Sequence, residues 1–393
     1  MSGNQPLAGV RVVEFSTMIT ASLAAMILSE QGADVVKVEP LAGDPMRRIG
    51  SQRPGLSALF QNCNKGKRSV ALDLKSDADI ALARRLCEGA DVVISNYRPG
   101  TMERLGLSWE ALSRANPKLV FARITGFGTH GPQAGSPAYD HVMQAQLGYT
   151  VAQGGASTPR HVQTAVCDKV TALMAAQAVS SALFAAERTG AGTRVDLSML
   201  DAGLHFLFPD SLMHATILEE DAVHLPELAS TYCTLAAADG HFVLAALGDA
   251  MWADVFRILG RGELVGDPRF ATQMARMGDY PGLIAALQER PVPKTVSAVL
   301  AELAAADVPA ARCASPMEAL EDPQVVASGT VTEVEHPVLG RIRSVRPAAI
   351  FGGQPGAAYL HAPALHAPAL HAPALHAPAL GADTDAVREA GGW

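Results

Sequence analysis

Short apolar runs rich in β-branched residues alternate with longer amphipathic stretches through the first third of the chain. Residues 10–15 (VRVVEF) read as a buried strand, and residues 20–31 (TASLAAMILSEQ) have the length and composition of a helix that Gly32 ends. Residues 34–38 (DVVKV) are strand-like again. A strand–helix–strand unit of about 30 residues is a βαβ crossover with parallel strands. The alternation continues with a strand at 69–72, a helix at 76–89 and a strand at 91–95. A helix capped by Ser108 and ending before Pro117 follows, then a strand at 119–125. This is the pattern of an α/β fold, an open parallel sheet with helices on both faces.

Residues 168–188 form an alanine-rich helical stretch closed by Gly190 and Gly192, followed by a strand at 194–198 and a helix opening near Asp201. The character changes around Pro226. Residues 231–237 and 241–247, joined through Ala238-Asp239-Gly240, read as an antiparallel hairpin, with helices at 252–259 and 296–305. The expected organisation is a large α/β domain beginning with residues 1–225, a smaller α+β domain at 226–325, and a return to the large domain over 326–393. Strands at 329–335 and 340–345 open that return. HAPAL then occurs four times in succession over 361–380. A proline two residues after each histidine opposes helix and favours extended chain, so the repeats are expected to be a slack linker. Their histidines have no second ligand type beside them.

Composition narrows the function classes. With 49% hydrophobic and 18% charged residues among 393, the chain is expected to be an ordinary globular protein. A net charge of -8 and a pI of about 5.8 leave no basic footprint for nucleic acid. The five cysteines stand singly, with no CxxC pair, which argues against a zinc site or disulfide framework and for reduced thiols in a cytoplasmic protein. No basic region followed by an apolar run opens the chain, and the apolar stretch 171–186 carries Gln177, Ser180 and Ser181. Neither a secretory leader nor membrane association is expected.

Candidate chemistry begins at the strand ends. The first βα loop, 16–21, has no glycine, so a dinucleotide fingerprint is missing, and Glu39 reads as a solvated strand-end carboxylate. Lys65-Gly66-Lys67-Arg68 and Lys75 could grip phosphates, but composition favours ordinary surface charge. Asn96-Tyr97-Arg98-Pro99-Gly100, with Arg104 beyond it, follows a strand at the sheet's carboxyl edge, where an aromatic, an arginine and a tight turn suit a phosphate-bearing nucleotide. Asp168 opens the long helix after Cys167, itself read as a small packing residue. Asp168 is either an N-cap or a carboxylate kept ionised at the helix start for nucleophilic work, and spacing leaves both open. Neither GxSxG nor a metal-binding HExxH occurs, which favours metal-free chemistry.

Taken in order, LAGVRVVEFS, QGADVVKVEP, NKGKRSVALDLK, ISNYRPGTMERLGL, ITGFGTHGP, AYDHVMQA, the DKV at the long helix, GTRVDLSMLDA, EDPQVVASGTVTEVEHPVLG and HAPALGADTDAVRE resemble segments of the class III CoA-transferases. That family includes formyl-CoA transferase and carnitine CoA-transferase, with α-methylacyl-CoA racemase as a relative. The resemblance implies a Rossmann-like large domain built from both chain ends, a smaller domain between them, and two subunits interlocked as a homodimer. It implies Asp168 as the nucleophile, passing through an acyl–aspartyl anhydride and an aspartyl-CoA thioester. It further implies that Leu72, Asp73, Leu74, Lys75, Asn96, Tyr97, Arg98 and Arg104 line the CoA site, with Ala138, Tyr139 and Asp140 at its thioester end. The CoA thioester is then a substrate, its partner a carboxylic acid, and no cofactor is tightly bound. Ile19 stands where formyl-CoA transferase has glutamine, and no glycine-rich loop lies between Leu225 and Asp239, so oxalate or formate specificity is not implied. Tyr139 and Gly248-Asp249 stand where racemase relatives carry a histidine and a glutamate, which favours transfer over α-proton exchange or bare acyl-CoA binding.

Overall fold

The computed structural model describes residues 5–351 and 376–393. Strands β1 (Arg11–Phe15), β2 (Asp34–Glu39), β3 (Arg68–Ala71), β4 (Val92–Ser95), β5 (Val120–Thr125) and β6 (Thr193–Ser198) form one sheet in the order β3-β2-β1-β4-β5-β6. All neighbouring pairs are parallel. The order reverses between β1 and β4, and open sheets of this kind bind ligands beyond the carboxyl ends of the strands at that point.

The paired valines of the sequence explain the layers. Successive strand residues face opposite sides, so each doublet supplies both cores. Val12, Val35, Val92 and Val120 enter one core with helices α1 (Ile19–Glu30) and the long α6 (Val166–Thr189). Val13, Val36, Val93 and Phe121 enter the other, against helices α3 (Asp77–Glu88) and α4 (Trp109–Ala115). On α6 the inward residues are Ala172, Ala175, Ala176, Val179, Ala182 and Ala186, which meet Ala21, Ala24, Ala25 and Leu28 of α1. Small side chains let the two helices approach closely. By length and composition α6 would serve as a membrane span, yet its alanine stripe is packed inside this core.

Contacts divide the chain into two units, Met1–Phe206 with Ser328–Trp393, and Leu207–Ala327. In the second, strands β7 (Thr234–Ala237), β8 (Gly240–Leu244) and β9 (Ala310–Arg312) form an antiparallel sheet in the order β9-β8-β7. Phe242, Trp252, Phe256, Phe270 and Leu283 fill its core. The expected hairpin is present, and β9 is too short to announce itself in the pattern.

In the first unit, β10 (Val331–His336) and β11 (Gly340–Val345) form a two-stranded sheet of their own among the described residues. The end of the chain returns to the main sheet. Ser69 donates its N–H to Asp383 and Ala71 donates to Thr384, beside helix α7 (Thr384–Ala390). The expected slack linker at 361–380 needs correction at its end. Residues 361–375 lie outside the described residues, but the last copy, His376 to Leu380, is docked. Ala377 is buried, its N–H donating to Gln61 at 2.7 Å. A proline that forbids helix leaves backbone groups free to bond elsewhere, and here they bond to the protein.

Candidate active site

The site rests on a buried ionic floor. Glu14 on β1, Lys37 on β2, and Lys67 just before β3 are all withdrawn from water. Lys37 Nζ donates to Glu14 Oε1 at 2.7 Å, Ser16 Oγ at 2.8 Å and Ser22 Oγ at 3.0 Å, and lies 3.1 Å from Asp44 Oδ2. Lys67 Nζ donates to Glu14 Oε2 at 2.7 Å, Ser22 O at 2.7 Å and Asn64 Oδ1 at 2.8 Å, using all three of its donors. Burial alone would push the Glu14 carboxyl up, but the two ammonium groups reverse it and hold it at about 2. Burial pulls Lys67 down to about 8, against the attraction of Glu14.

These contacts correct two sequence expectations. The basic cluster at 65–68 is not surface charge: Lys67 is buried, Lys65 pairs with Glu30 at 2.6 Å and Arg68 with Asp34 at 2.6 Å. Glu39 is not solvated either. It is buried, chelated by Arg47 through bonds of 2.6 and 2.8 Å, and receives Ser69 Oγ and the N–H of Asp44. A charge run in sequence is indistinguishable from solvated charge until the strands bring its counterions together.

The floor pins both ends of the turn between β1 and α1, since Lys37 reaches Ser16 and Ser22 at once. Met18, within that turn, has φ 64°, a conformation costly for a residue with a side chain. Asp44 Oδ1 accepts the Met18 N–H at 3.3 Å, and Asn96 exchanges two hydrogen bonds with the backbone of Thr17, at 3.1 and 2.7 Å. So held, the turn presents Thr20, whose hydroxyl donates a hydrogen bond to Asp168 Oδ1.

Asp168 is not the N-cap. Helix α6 begins at Val166 with Ala165 before it, and no side chain of that residue caps the helix. The capping acceptor comes from another helix, α5 (Asp140–Gln146): Asp140 Oδ1 accepts the Asp168 N–H at 3.1 Å. The Asp168 carboxylate is thereby left to face a cleft of about 350 Å³. Thr17, Met18 and Thr20 line one side, Asn96 to Pro99 another, and Thr125, Gly126, Ala138, Tyr139 and Met199 complete it. A Cβ on Gly126 would run into Ala138, so glycine there allows the segment before α5 to close over the end of β5.

Of the residues expected at the site, Asn96, Tyr97, Arg98, Ala138, Tyr139 and Asp168 line this cleft. Tyr97 is half-buried, edge-on to Phe15, and burial pushes its hydroxyl up to about 12. Asp140 reaches the cleft only through Asp168. Leu72 points into the core instead, Leu74 packs against that core, and the Asp73 N–H is taken by Asp79 at 2.8 Å. Lys75 is exposed, and Arg104 is exposed with a bond to Thr101, which does line the cleft. Sequence reasoning missed Thr20, Thr17, Met18 and Thr125. A threonine in a first βα turn is an ordinary helix-start residue, and nothing local marks the carboxylate it meets 148 positions away.

Burial raises the Asp168 carboxyl to about 6, with the nearby Asp140 charge adding to it and the Thr20 hydrogen bond opposing it. Any reaction needing the carboxylate is therefore expected to lose kcat/KM as pH falls through about 6. Thr20→Val keeps the shape and removes the donor. It is expected to move that midpoint upward and to lower kcat/KM at pH 7 by roughly 10- to 100-fold, the value of one hydrogen bond to a charge. A pH series of initial rates on both proteins checks this; coincident profiles would deny Thr20 the role.

Residues 7–368 match the family model described as CoA-transferase family III. The chain belongs to that family and is a CoA-transferase. It is 33% identical over 343 residues to a succinate–glutarate CoA-transferase of Agrobacterium fabrum, covering 84% of this chain and 85% of that protein. It is 31% identical over 369 residues to a succinyl-CoA–D-citramalate CoA-transferase of Chloroflexus aurantiacus, covering 92% and 91%. Among solved structures, that of a CaiB/BaiF family protein from Brucella suis superposes with a TM-score of 0.82 at 30% identity, covering 99% of this chain and all of the other.

Proposed function

We propose that this enzyme moves CoA from an acyl-CoA donor to a carboxylic acid through covalent intermediates on Asp168. The carrying observation is one half-buried, ionisable carboxylate facing a cleft at the sheet's switch point, with one oxygen held by Thr20. The carboxylate attacks the thioester carbonyl; the C–S bond breaks, leaving an acyl–aspartyl anhydride and CoA thiolate. The thiolate attacks the aspartyl carbonyl and expels the donor acid as carboxylate, giving an aspartyl-CoA thioester. The acceptor carboxylate attacks this thioester and releases the thiolate, which takes the acceptor acyl group and restores Asp168. No proton or metal enters the balance. Thr20 is a donor poised for the oxyanion that develops beside Oδ1.

Tyr97, Arg98 and the Thr101–Arg104 turn, at the cleft's edge, suit the nucleotide part of CoA, and Lys75 suits a phosphate further out. The Leu72 side chain is committed to the core and the Asp73 N–H to Asp79, so within that turn the exposed Lys75 is the residue proposed to meet CoA. Relatives that use succinyl-CoA make it the donor to try first. In the proposed homodimer, Leu173 and Phe184, exposed apolar side chains on α6, are available to be covered by the second subunit.

Intact mass of the enzyme after exposure to succinyl-CoA tests the reading. An acyl- or CoA-sized adduct mapping to Asp168 and removed by hydroxylamine is expected. Binding of succinyl-CoA and other acyl-CoAs without any adduct would defeat the covalent route.

A further inference from the structure

The docked HAPAL copy lies behind the active-site turn. Ala377 sits in one apolar cluster with Met46, Leu56, Phe60 and Cys63, and Met18 and Ile19 pack against that same cluster. A polar route runs in parallel. The Pro378 carbonyl accepts from Arg47 at 3.1 Å; Arg47 chelates Glu39; Glu39 accepts the N–H of Asp44 at 3.0 Å; and Asp44 accepts the N–H of Met18. The copy is fastened along its length. Its His376 carbonyl accepts from Gly66 N–H at 2.9 Å, and the His376 ring stands edge-on to His336 with centroids 4.8 Å apart. Leu380 lies over Gly43, where a Cβ would come within 3.2 Å of it.

We propose that this last HAPAL copy is a positioning element for the active site, with Ala377 as its central positioning residue. It supports Met18 and Ile19 from behind and thereby sets Thr20 against Asp168. Met18 holds a positive-φ backbone that its own residue type disfavours, so its geometry must be imposed by what surrounds it. The proposal rests on the reading of Asp168 as the acyl acceptor.

The test replaces the first alanine of every copy, because all four copies are identical and an upstream one could otherwise take the vacated place. The variant carries Ala362→Asp, Ala367→Asp, Ala372→Asp and Ala377→Asp in the full chain. Its control carries the same charges two residues further on in each copy, at Ala364, Ala369, Ala374 and Ala379, the last of which is exposed. The first variant is expected to lose about tenfold or more in kcat with KM for succinyl-CoA little changed, as for loss of an interaction that matters in the transition state. Its pH midpoint is expected to rise as in Thr20→Val, which a mere fall in the folded fraction would not cause. The control is expected to keep both. Should the aspartates prevent folding, judged by circular dichroism, Ala→Val at the same four positions overfills the cluster more gently and carries the same expectation. A folded variant that keeps wild-type kcat, or loses it with an unmoved pH midpoint, overturns the proposal. The adduct assay separates the two readings. A wild-type protein that forms no adduct refutes the role of Asp168, whereas equal adduct rates in wild type and variant refute only the role of the repeat.

Discussion

Asp168→Ala is expected to lower CoA transfer by roughly 10⁴-fold or more, the scale seen when a covalent nucleophile is removed, while CoA-thioester binding persists. Binding survives because the other cleft residues lie on different strand ends and do not depend on the carboxylate for their placement. Initial rates with succinyl-CoA and a panel of dicarboxylic acids, together with the mass of the protein, provide the measurement. Asp168→Asn should be equally inactive but more stable. The folded carboxyl sits at about 6 against an ordinary 3.8, so between those values the folded protein holds more protons than the unfolded chain. Stability therefore falls as pH rises through that window, and the ionised side chain costs on the order of 3 kcal/mol above it. The asparagine variant is expected to melt a few degrees higher at pH 7, with the difference gone below pH 3.8. An active site that destabilises its own protein at working pH is the usual trade between function and stability.

Lys37→Met is expected to be the most damaging change outside the cleft, costing about 3–5 kcal/mol of folding stability, as when one partner of a buried charge network is deleted. Without the ammonium, Asp44 Oδ2 loses its 3.1 Å partner and Glu14 is left with Lys67 and the Ser16 hydroxyl. Lys37→Arg is not expected to rescue it, because a planar guanidinium cannot reach Glu14, Ser16, Ser22 and Asp44 from one point. Urea denaturation gives the loss directly. Pairing the change with Glu14→Gln is expected to recover part of it, since both charges then leave together. The same floor predicts acid sensitivity. Glu14 is held at about 2 against 4.5, so its stabilisation is present above pH 4.5 and is lost as pH falls towards 2.

The floor also marks where sequence reading ran out. Glu14 and Lys37 sit in runs, RVVEF and DVVKV, whose valines announce strands; nothing local marks the single charged residue near the end of each as buried. Both are fully buried because β1 and β2 are parallel neighbours, and their register pairs Glu14 with Lys37. Neither charge is tolerable alone, so neither reading could be reached without its partner. The repeat shows the reverse. Prolines and alanines argued against a helix, which the described copy at 376–380 bears out, yet low complexity concealed that this copy has a fitted place. Its binding is specified by Gln61, Gly66 and Arg47, far away in the chain.

By itself, the sequence determined the periodicity of each element, the α/β class, the position of Asp168 near the start of the long helix, and through its motifs the resemblance to the family. These are local properties: a strand repeats every two residues, a helix every 3.6, and a motif is read in order. The tertiary structure decided what Asp168 meets. Thr20 reaches it only because parallel pairing places β1 in the middle of the sheet and α6 against α1. Whether a carboxylate is a helix cap or a nucleophile depends on its burial and on the donors within 3 Å or so, and those are set by chain segments that local pattern cannot relate.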